Sequence, residues 1–188
     1  MFDKAELEKY ALFDPTVDKE SKIVDCPGLY VLLLRKGSKL PECGVDYTPC
    51  MITYDGEEYE LIYVGISNKS LRKRDFHQHF TKNNAGQSTL RKSIGSLMGL
   101  KKTYRSEGEK GKPSPKIKFV DNDEEKLSEW MKKNLLLLFK ASSNPKDMEK
   151  DMIAVLNPPL NISENTNFIN RPYRDNLSRL RNDRSDLD

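Results

Sequence analysis

Apolar positions in this chain come first as short unbroken runs and only later at helical spacing. Pro27-Gly28-Leu29-Tyr30-Val31-Leu32-Leu33-Leu34, bounded by proline and by Lys36-Gly37, predicts a central strand covered on both faces. Residues 37–50 read as loop. Met51 to Tyr54 and Tyr59 to Val64 then flank Asp55-Gly56, a favoured hairpin-turn dipeptide. Strict alternation in the second run would put Leu61 and Tyr63 on one face and Ile62 and Val64 on the other.

Helical spacing sets in at Ser70, first through Phe80 and then from Ser88 to Leu97, with Asn83-Asn84-Ala85-Gly86 between and Ser88 as N-cap of the second helix. A weaker version over residues 3–13 (Leu7, Tyr10, Ala11), ending at Asp14-Pro15, predicts a short leading helix. Residues 101–115, rich in Lys, Gly, Ser and Pro, predict a mobile basic loop. A short strand over Ile117 to Val120, a helix from Glu124 to Lys133 around Trp130, and a second buried strand over Leu135 to Phe139 follow. Asn144-Pro145-Lys146-Asp147 marks a helix start, Asn capping and Pro at the first position, and Pro158-Pro159 stops that helix. An Asn-rich loop leads to a basic terminal helix over Tyr173 to Arg181. At 188 residues the chain predicts a single core.

Composition narrows the setting. No apolar run approaches the roughly 20 residues of a membrane helix, and Met1-Phe2-Asp3-Lys4-Ala5-Glu6 lacks the apolar segment of a leader, so a soluble, cytoplasmic protein with no membrane partner is expected. Cys26, Cys43 and Cys50, an odd set without a CxxC pair, are expected to be reduced thiols. The net charge of +3 is small, but Lys101 to Lys118 holds seven Lys or Arg against two Glu, and Arg171 to Arg184 five Arg against two Asp. Local basic surfaces of this kind suit a polyanion.

Glu149 is the first position that chemistry singles out. It lies past the first turn after Asn144, and three, four and seven residues before Met152, Ile153 and Leu156, on the apolar stripe of its helix. An inward-facing acid needs a partner: a divalent cation would repay its desolvation, and an ion pair with Lys146 or Lys150 is the alternative. Tyr30 and Tyr63, each beside a backbone-permissive glycine, are either core tyrosines or reacting phenols. Arg74, in Lys69-Ser70-Leu71-Arg72-Lys73-Arg74, sits on a solvated helix face or against phosphate, and Asn161 is a turn residue or a site amide. His77 and His79 are the only histidines and stand within five residues of that basic cluster. Phenol, cation, imidazole, carboxylate and amide are the parts needed to hydrolyse a phosphodiester.

Gly28-Leu29-Tyr30, then Tyr63-Val64-Gly65, then an Arg-bearing helix ending in His79-Phe80, then Glu149 twelve residues before the Asn of Asn157-Pro158-Pro159-Leu160-Asn161, resembles the GIY-YIG nuclease family. The run Ser88-Thr89-Leu90-Arg91-Lys92-Ser93-Ile94-Gly95 and the terminal basic helix are similar to stand-alone bacterial members. The resemblance implies an α+β fold, a small antiparallel sheet flanked by helices, with an N-terminal helical extension over 1–25, a nuclease domain over 26–162, and the Asn-rich loop and basic helix over 163–188. It implies Tyr30, Tyr63, Arg74, His79 and Asn161 as catalytic residues and Glu149 as ligand of one Mg2+ or Mn2+ ion. It further implies Lys69, Lys73, Arg91 and Lys92 as nucleic-acid contacts and DNA as the preferred substrate, in restriction, other defence or repair, with a dimer compatible with double-strand cutting. In the expected mechanism a tyrosine with a cation-lowered pKa deprotonates the attacking water, while Arg74 neutralises charge on the phosphorus oxygens.

Two departures stand out. The family's triplets lie about ten residues apart, whereas residues 31–62 intervene here, which implies an inserted loop or hairpin between the motif strands. The family also spaces its Arg and His or Tyr by four, but Arg74 is three from His77 and five from His79. Five places on an α-helix separate side chains by about 140°, so either the helix is locally irregular or His77 takes the role; the His-Phe ending favours His79. The inexact spacing also motivates an alternative, a module that binds nucleic acid on this scaffold without cutting it.

Overall fold

In the computed structural model, which describes residues 2–81 and 85–187, the expected strands assemble around one central apolar strand. The strands are β1 (Ala11–Phe13), β2 (Gly28–Leu34), β3 (Cys50–Tyr54), β4 (Glu57–Ser67), β5 (Lys102–Tyr104), β6 (Ile117–Phe119) and β7 (Leu135–Ala141). Five form an antiparallel sheet in the order β1-β7-β2-β4-β3, and β5 pairs with β6 in a separate ribbon. The α-helices are α1 (Thr89–Leu97), α2 (Asp121–Asn134), α3 (Pro145–Leu156) and α4 (Arg171–Asn182). The class is α+β, as expected, and no helix among the described residues is long and apolar enough to cross a membrane.

Every residue of β2 is buried, because its two faces enter two different cores. Tyr30, Leu32 and Leu34 pack with residues of α1, α2 and α4, while Leu29, Val31 and Leu33 pack with Met152, Ile153 and Leu156 of α3. This is the two-sided burial that an unbroken apolar run demands. The β3–β4 hairpin turns at Asp55 and Gly56, both at positive φ (50° and 72°), as a tight two-residue turn requires. The three cysteines are free.

Several local expectations are corrected. The register between β2 and β4 shifts, with Leu32 opposite Tyr63 and Leu33 opposite Leu61, so Ile62 is an extra residue. Ile62 and Tyr63 therefore enter the same core, and the alternation predicted across them breaks. The leading segment forms a 3-10 helix over Lys4–Lys9 and then β1, which adds to the sheet through β7 instead of continuing as helix. Residues 102–104 of the predicted mobile loop pair with β6. Asn144 stands at the N-cap of α3 but makes no side-chain cap bond; its amide donates to the Asp147 carboxylate. Ser88 does cap α1, accepting from Arg91 N at 3.1 Å. Of the predicted break at residues 83–86, Asn83 and Asn84 lie outside the described residues.

The insertion after β2 is pinned to the C-terminal part of the chain. Asn170 accepts from Thr48 N (2.8 Å) and donates to Thr48 O (3.0 Å), Asn176 donates to Cys43 O, and the Tyr47 and Tyr173 rings pack at 4.7 Å between centroids. This anchors α4 across the core face that carries Tyr30 and Tyr63.

Candidate active site

The two motif glycines are required by space. Neither Gly28 nor Gly65 has positive φ. A Cβ on Gly65 would overlap the Cζ and hydroxyl of Tyr30, and one on Gly28 would overlap Lys140 O. Gly65 lies opposite Tyr30 in the β2–β4 ladder, so the second triplet makes room for the phenol of the first. Tyr30 is fully buried, with its ring 6.2 Å from that of Tyr63.

Over Tyr30 lies the segment Arg72–Thr81, a π-helix instead of a regular α-helix, the irregularity that the spacing of Arg74 and His79 leaves open. A ladder of i→i+5 bonds brings residues five apart to nearly the same side, and Arg74 and His79 accordingly converge. Arg74 Nε donates to Tyr30 Oη at 3.4 Å, and His79 Nε2 lies 2.9 Å from the same oxygen. The other imidazole nitrogen, Nδ1, is 3.0 Å from Ser88 Oγ at the start of α1. The Arg74 guanidinium is steadied by Gln78 Oε1 at 2.8 Å. His77 is placed elsewhere, partly exposed and 3.6 Å from Glu20.

Burial sets the protonation of this group. It pushes the Tyr30 phenol well above its usual range, reinforced by Tyr63, and Arg74 offsets only part of that rise. The expectation of a cation-lowered phenol therefore does not hold for Tyr30. Burial, with Arg74 and Arg91 adding to it, holds His79 well below its ordinary range, so its imidazole is neutral. Asp75, fully buried, is raised well above the carboxylate range by desolvation, and neither of its oxygens has a hydrogen bond; His79 Nε2 lies 3.8 Å from Oδ1.

Tyr63 faces a cleft of about 230 Å³ whose lining includes Thr89, Glu149, Asn161, Glu164 and Arg181. The Tyr63 hydroxyl is 3.1 Å from Thr89 Oγ1. Glu149 is half-buried and pairs with neither Lys146 nor Lys150; Lys150 instead lies 3.3 Å from Glu164. Desolvation and then Glu164 raise the Glu149 carboxyl, with Arg74 and Lys146 acting against them. Asn161 is bound to the backbone: its Oδ1 accepts from Val64 N and its Nδ2 donates to Val64 O, both at 2.9 Å, while Leu160 N donates to the bulge carbonyl of Ile62 at 3.1 Å. β3 pairs with β4 only as far as Leu61, and the Leu160-Asn161 segment takes over the edge beyond it.

The expected nucleic-acid contacts divide. Lys69 and Lys73 are exposed and line a groove of about 500 Å³ with Arg74 and Gln78. Arg91 is fully buried, donating to His79 O (2.8 Å), Ser128 Oγ (3.0 Å), Glu124 O (3.0 Å) and Glu124 Oε2 (2.7 Å). It cannot reach a phosphate and instead ties the π-helix to α1 and α2. Lys92 is partly buried on α1. Thr89, Asp75, Glu164 and Arg181 were not singled out by residue type and spacing, and Ser88 only as a helix cap. Ser88 and Thr89 do lie within the run that resembles stand-alone family members, but nothing local marks the others.

The Glu149 environment fits a hard cation. Its carboxylate makes no ion pair among the described residues and shares its cleft with Glu164, and a Mg2+-type ion needs only one or two carboxylates, its other positions going to water and substrate oxygens.

Comparisons with curated proteins and with solved structures find no match. The profile of the GIY-YIG catalytic domain matches residues 28–183, from the first motif glycine to the end of the basic helix. A match over that span, carried by a sheet and helices of the expected class and implying nuclease activity in general, establishes that the chain belongs to the GIY-YIG catalytic domain family.

Proposed function

We propose that the protein is a divalent-metal-dependent endonuclease that hydrolyses phosphodiester bonds of DNA. The observation that carries this reading is the convergence of Arg74 and His79 on the Tyr30 hydroxyl. A phosphate held by the Arg74 guanidinium lies beside that hydroxyl. As a water attacks phosphorus and the bond to the leaving oxygen breaks, the water's proton passes to Tyr30 Oη and the phenol proton to neutral His79 Nε2. The relay needs no prior ionisation of Tyr30, which burial opposes; burial also disfavours a charged imidazole, so His79 takes the proton only as negative charge builds on the phosphate beside it. Arg74 neutralises charge on the phosphorus oxygens. Mg2+ or Mn2+ on Glu149, one ion per site, would act as a Lewis acid at the leaving oxygen. Tyr63 and Thr89 line the same cleft as Glu149, and Lys69 and Lys73 track phosphates in the groove that reaches Arg74.

Purified protein with Mg2+ or Mn2+ is expected to cut plasmid DNA, and Glu149→Ala is not. Equal cutting by both would overturn the reading. Salt-dependent binding with no cleavage across several metals would favour the non-cutting module instead. Sequencing the ends produced from a plasmid library separates a restriction role, with a fixed recognition site, from repair, with nicks at distorted structures.

A further inference from the structure

Arg181, in the last turn of α4, lines the cleft of Tyr63 and Glu149 and also a small neighbouring cavity that includes Lys92 and Lys102. Two helices converge there, α1 bringing Lys92 and α4 bringing Arg181; Arg105, which follows β5 and whose backbone N–H bonds Lys116 O, lies near enough for its charge to act on Lys92. Two nearby cations have fixed partners. Lys102 Nζ donates to Leu180 O and Asp183 O, both at 2.8 Å, and Arg184 donates to Pro115 O. The side chains of Lys92, Arg105 and Arg181, by contrast, make no hydrogen bond or ion pair among the described residues. Arg181 does not pair with Glu149 or Glu164 although all three line one cleft.

Unpaired like charges brought together from separate elements raise the energy of the free protein. Burial and then Arg181, Arg105 and Arg184 push the Lys92 ammonium below its usual range, the sign of that mutual repulsion. A polyanion relieves it, and Arg181 carries the cluster to the edge of the cleft where a phosphodiester would be cut.

We propose that Lys92, Arg105 and Arg181 form a phosphate-binding subsite that grips the nucleic-acid backbone next to the scissile position. The subsite rests on the reading of the adjoining cleft as the place of hydrolysis. It gives the C-terminal basic helix a defined role, since α4 reaches across the core and ends with a cation at the substrate.

The test uses the full chain carrying Glu149→Ala, so that binding is measured without cutting. Duplex DNA is titrated across a salt series, with Arg181→Gln, Arg105→Gln and Lys36→Gln each added. Loss of one phosphate contact lowers the slope of log affinity against log salt by about 0.9. That drop is expected for Arg181→Gln and Arg105→Gln and not for Lys36→Gln, whose ammonium pairs with Glu57 at the hairpin. Arg105, on the ribbon, keeps the test decisive if the α4 variant is unstable. Inorganic phosphate is titrated as a competitor; displacement of DNA at micromolar phosphate would assign the cluster to a free anion and overturn the proposal. Unchanged slopes in both arginine variants would also overturn it, while cutting by the otherwise unaltered chain would leave the nuclease reading intact. Lowered slopes in a chain that never cuts would do the reverse.

Discussion

Arg74 and His79, five residues apart, meet on one phenol: Arg74 Nε is 3.4 Å and His79 Nε2 2.9 Å from Tyr30 Oη. On an α-helix the same pair would point about 140° apart. The π-helix Arg72–Thr81 narrows that angle and brings both side chains to Tyr30, and π-helical turns are rare and recur at functional sites. Tyr30→Phe is expected to retain the fold and lower the single-turnover cleavage rate by about 10²–10⁴, the usual worth of positioned acid–base chemistry. A rate within about threefold of the unaltered protein would remove Tyr30 from that role.

Gly65→Ala places a methyl on the Tyr30 ring. Overpacking of this kind costs about 1–3 kcal/mol, and more where backbone walls the site. The variant is expected to melt lower and to lose cleavage. Adding Tyr30→Leu should restore melting but not activity, since the space returns without the hydroxyl. Failure of the double variant to regain stability would place the strain elsewhere.

Asn161 supports the sheet edge through Val64. Asn161→Ala leaves a buried N–H and C=O unpaired and is expected to cost about 2 kcal/mol or more of stability. Denaturant unfolding checks this. A variant that unfolds like the parent yet has lost activity would instead assign the amide to the chemistry.

Arg91→Gln distinguishes structure from binding. Removing one partner of a buried ion pair costs about 3–5 kcal/mol, and Arg91 is paired with Glu124 in the interior. The expected result is a large fall in melting temperature, with the salt slope of DNA binding unchanged at a temperature where the variant is folded. A slope reduced by about 0.9 would reinstate Arg91 as a phosphate contact.

Asp75 and His79 give stability opposite pH dependences. A histidine depressed by burial contributes stability that is present above its unfolded value of about 6.5 and is lost as pH falls toward the folded value. The raised Asp75 carboxyl contributes stability present below about 3.9 and lost as pH rises toward its folded value. Asp75→Asn is therefore expected to melt higher than the parent at pH 8, by about 2–4 °C for each kcal/mol gained, with the gap narrowing toward pH 4. A variant less stable than the parent at pH 8 would show Asp75 ionised and paired with His79.

Local order along the chain determined much of this protein. The apolar run Gly28 to Leu34 could only be a strand covered on both faces, Asp55-Gly56 could turn tightly between two strands, and Ser88 was placed to cap a helix. The order of Tyr30, Tyr63, Arg74, Glu149 and Asn161 was equally legible, because family motifs are carried by residue type and spacing. Tertiary structure decided what depends on partners far away in sequence. The bulge at Ile62 follows from β4 meeting both β2 and the Leu160-Asn161 segment, not from the alternation of its own residues. Arg91 is polar and sits in a basic run, yet Glu124, thirty-three positions later, draws it inside. Arg181 enters the cleft only because Asn170 and Tyr173 anchor α4 to the insertion after β2. The five-residue spacing from Arg74 to His79 brings both side chains to one phenol only when a π-helix lies across Tyr30, a choice of backbone that residue types alone leave open.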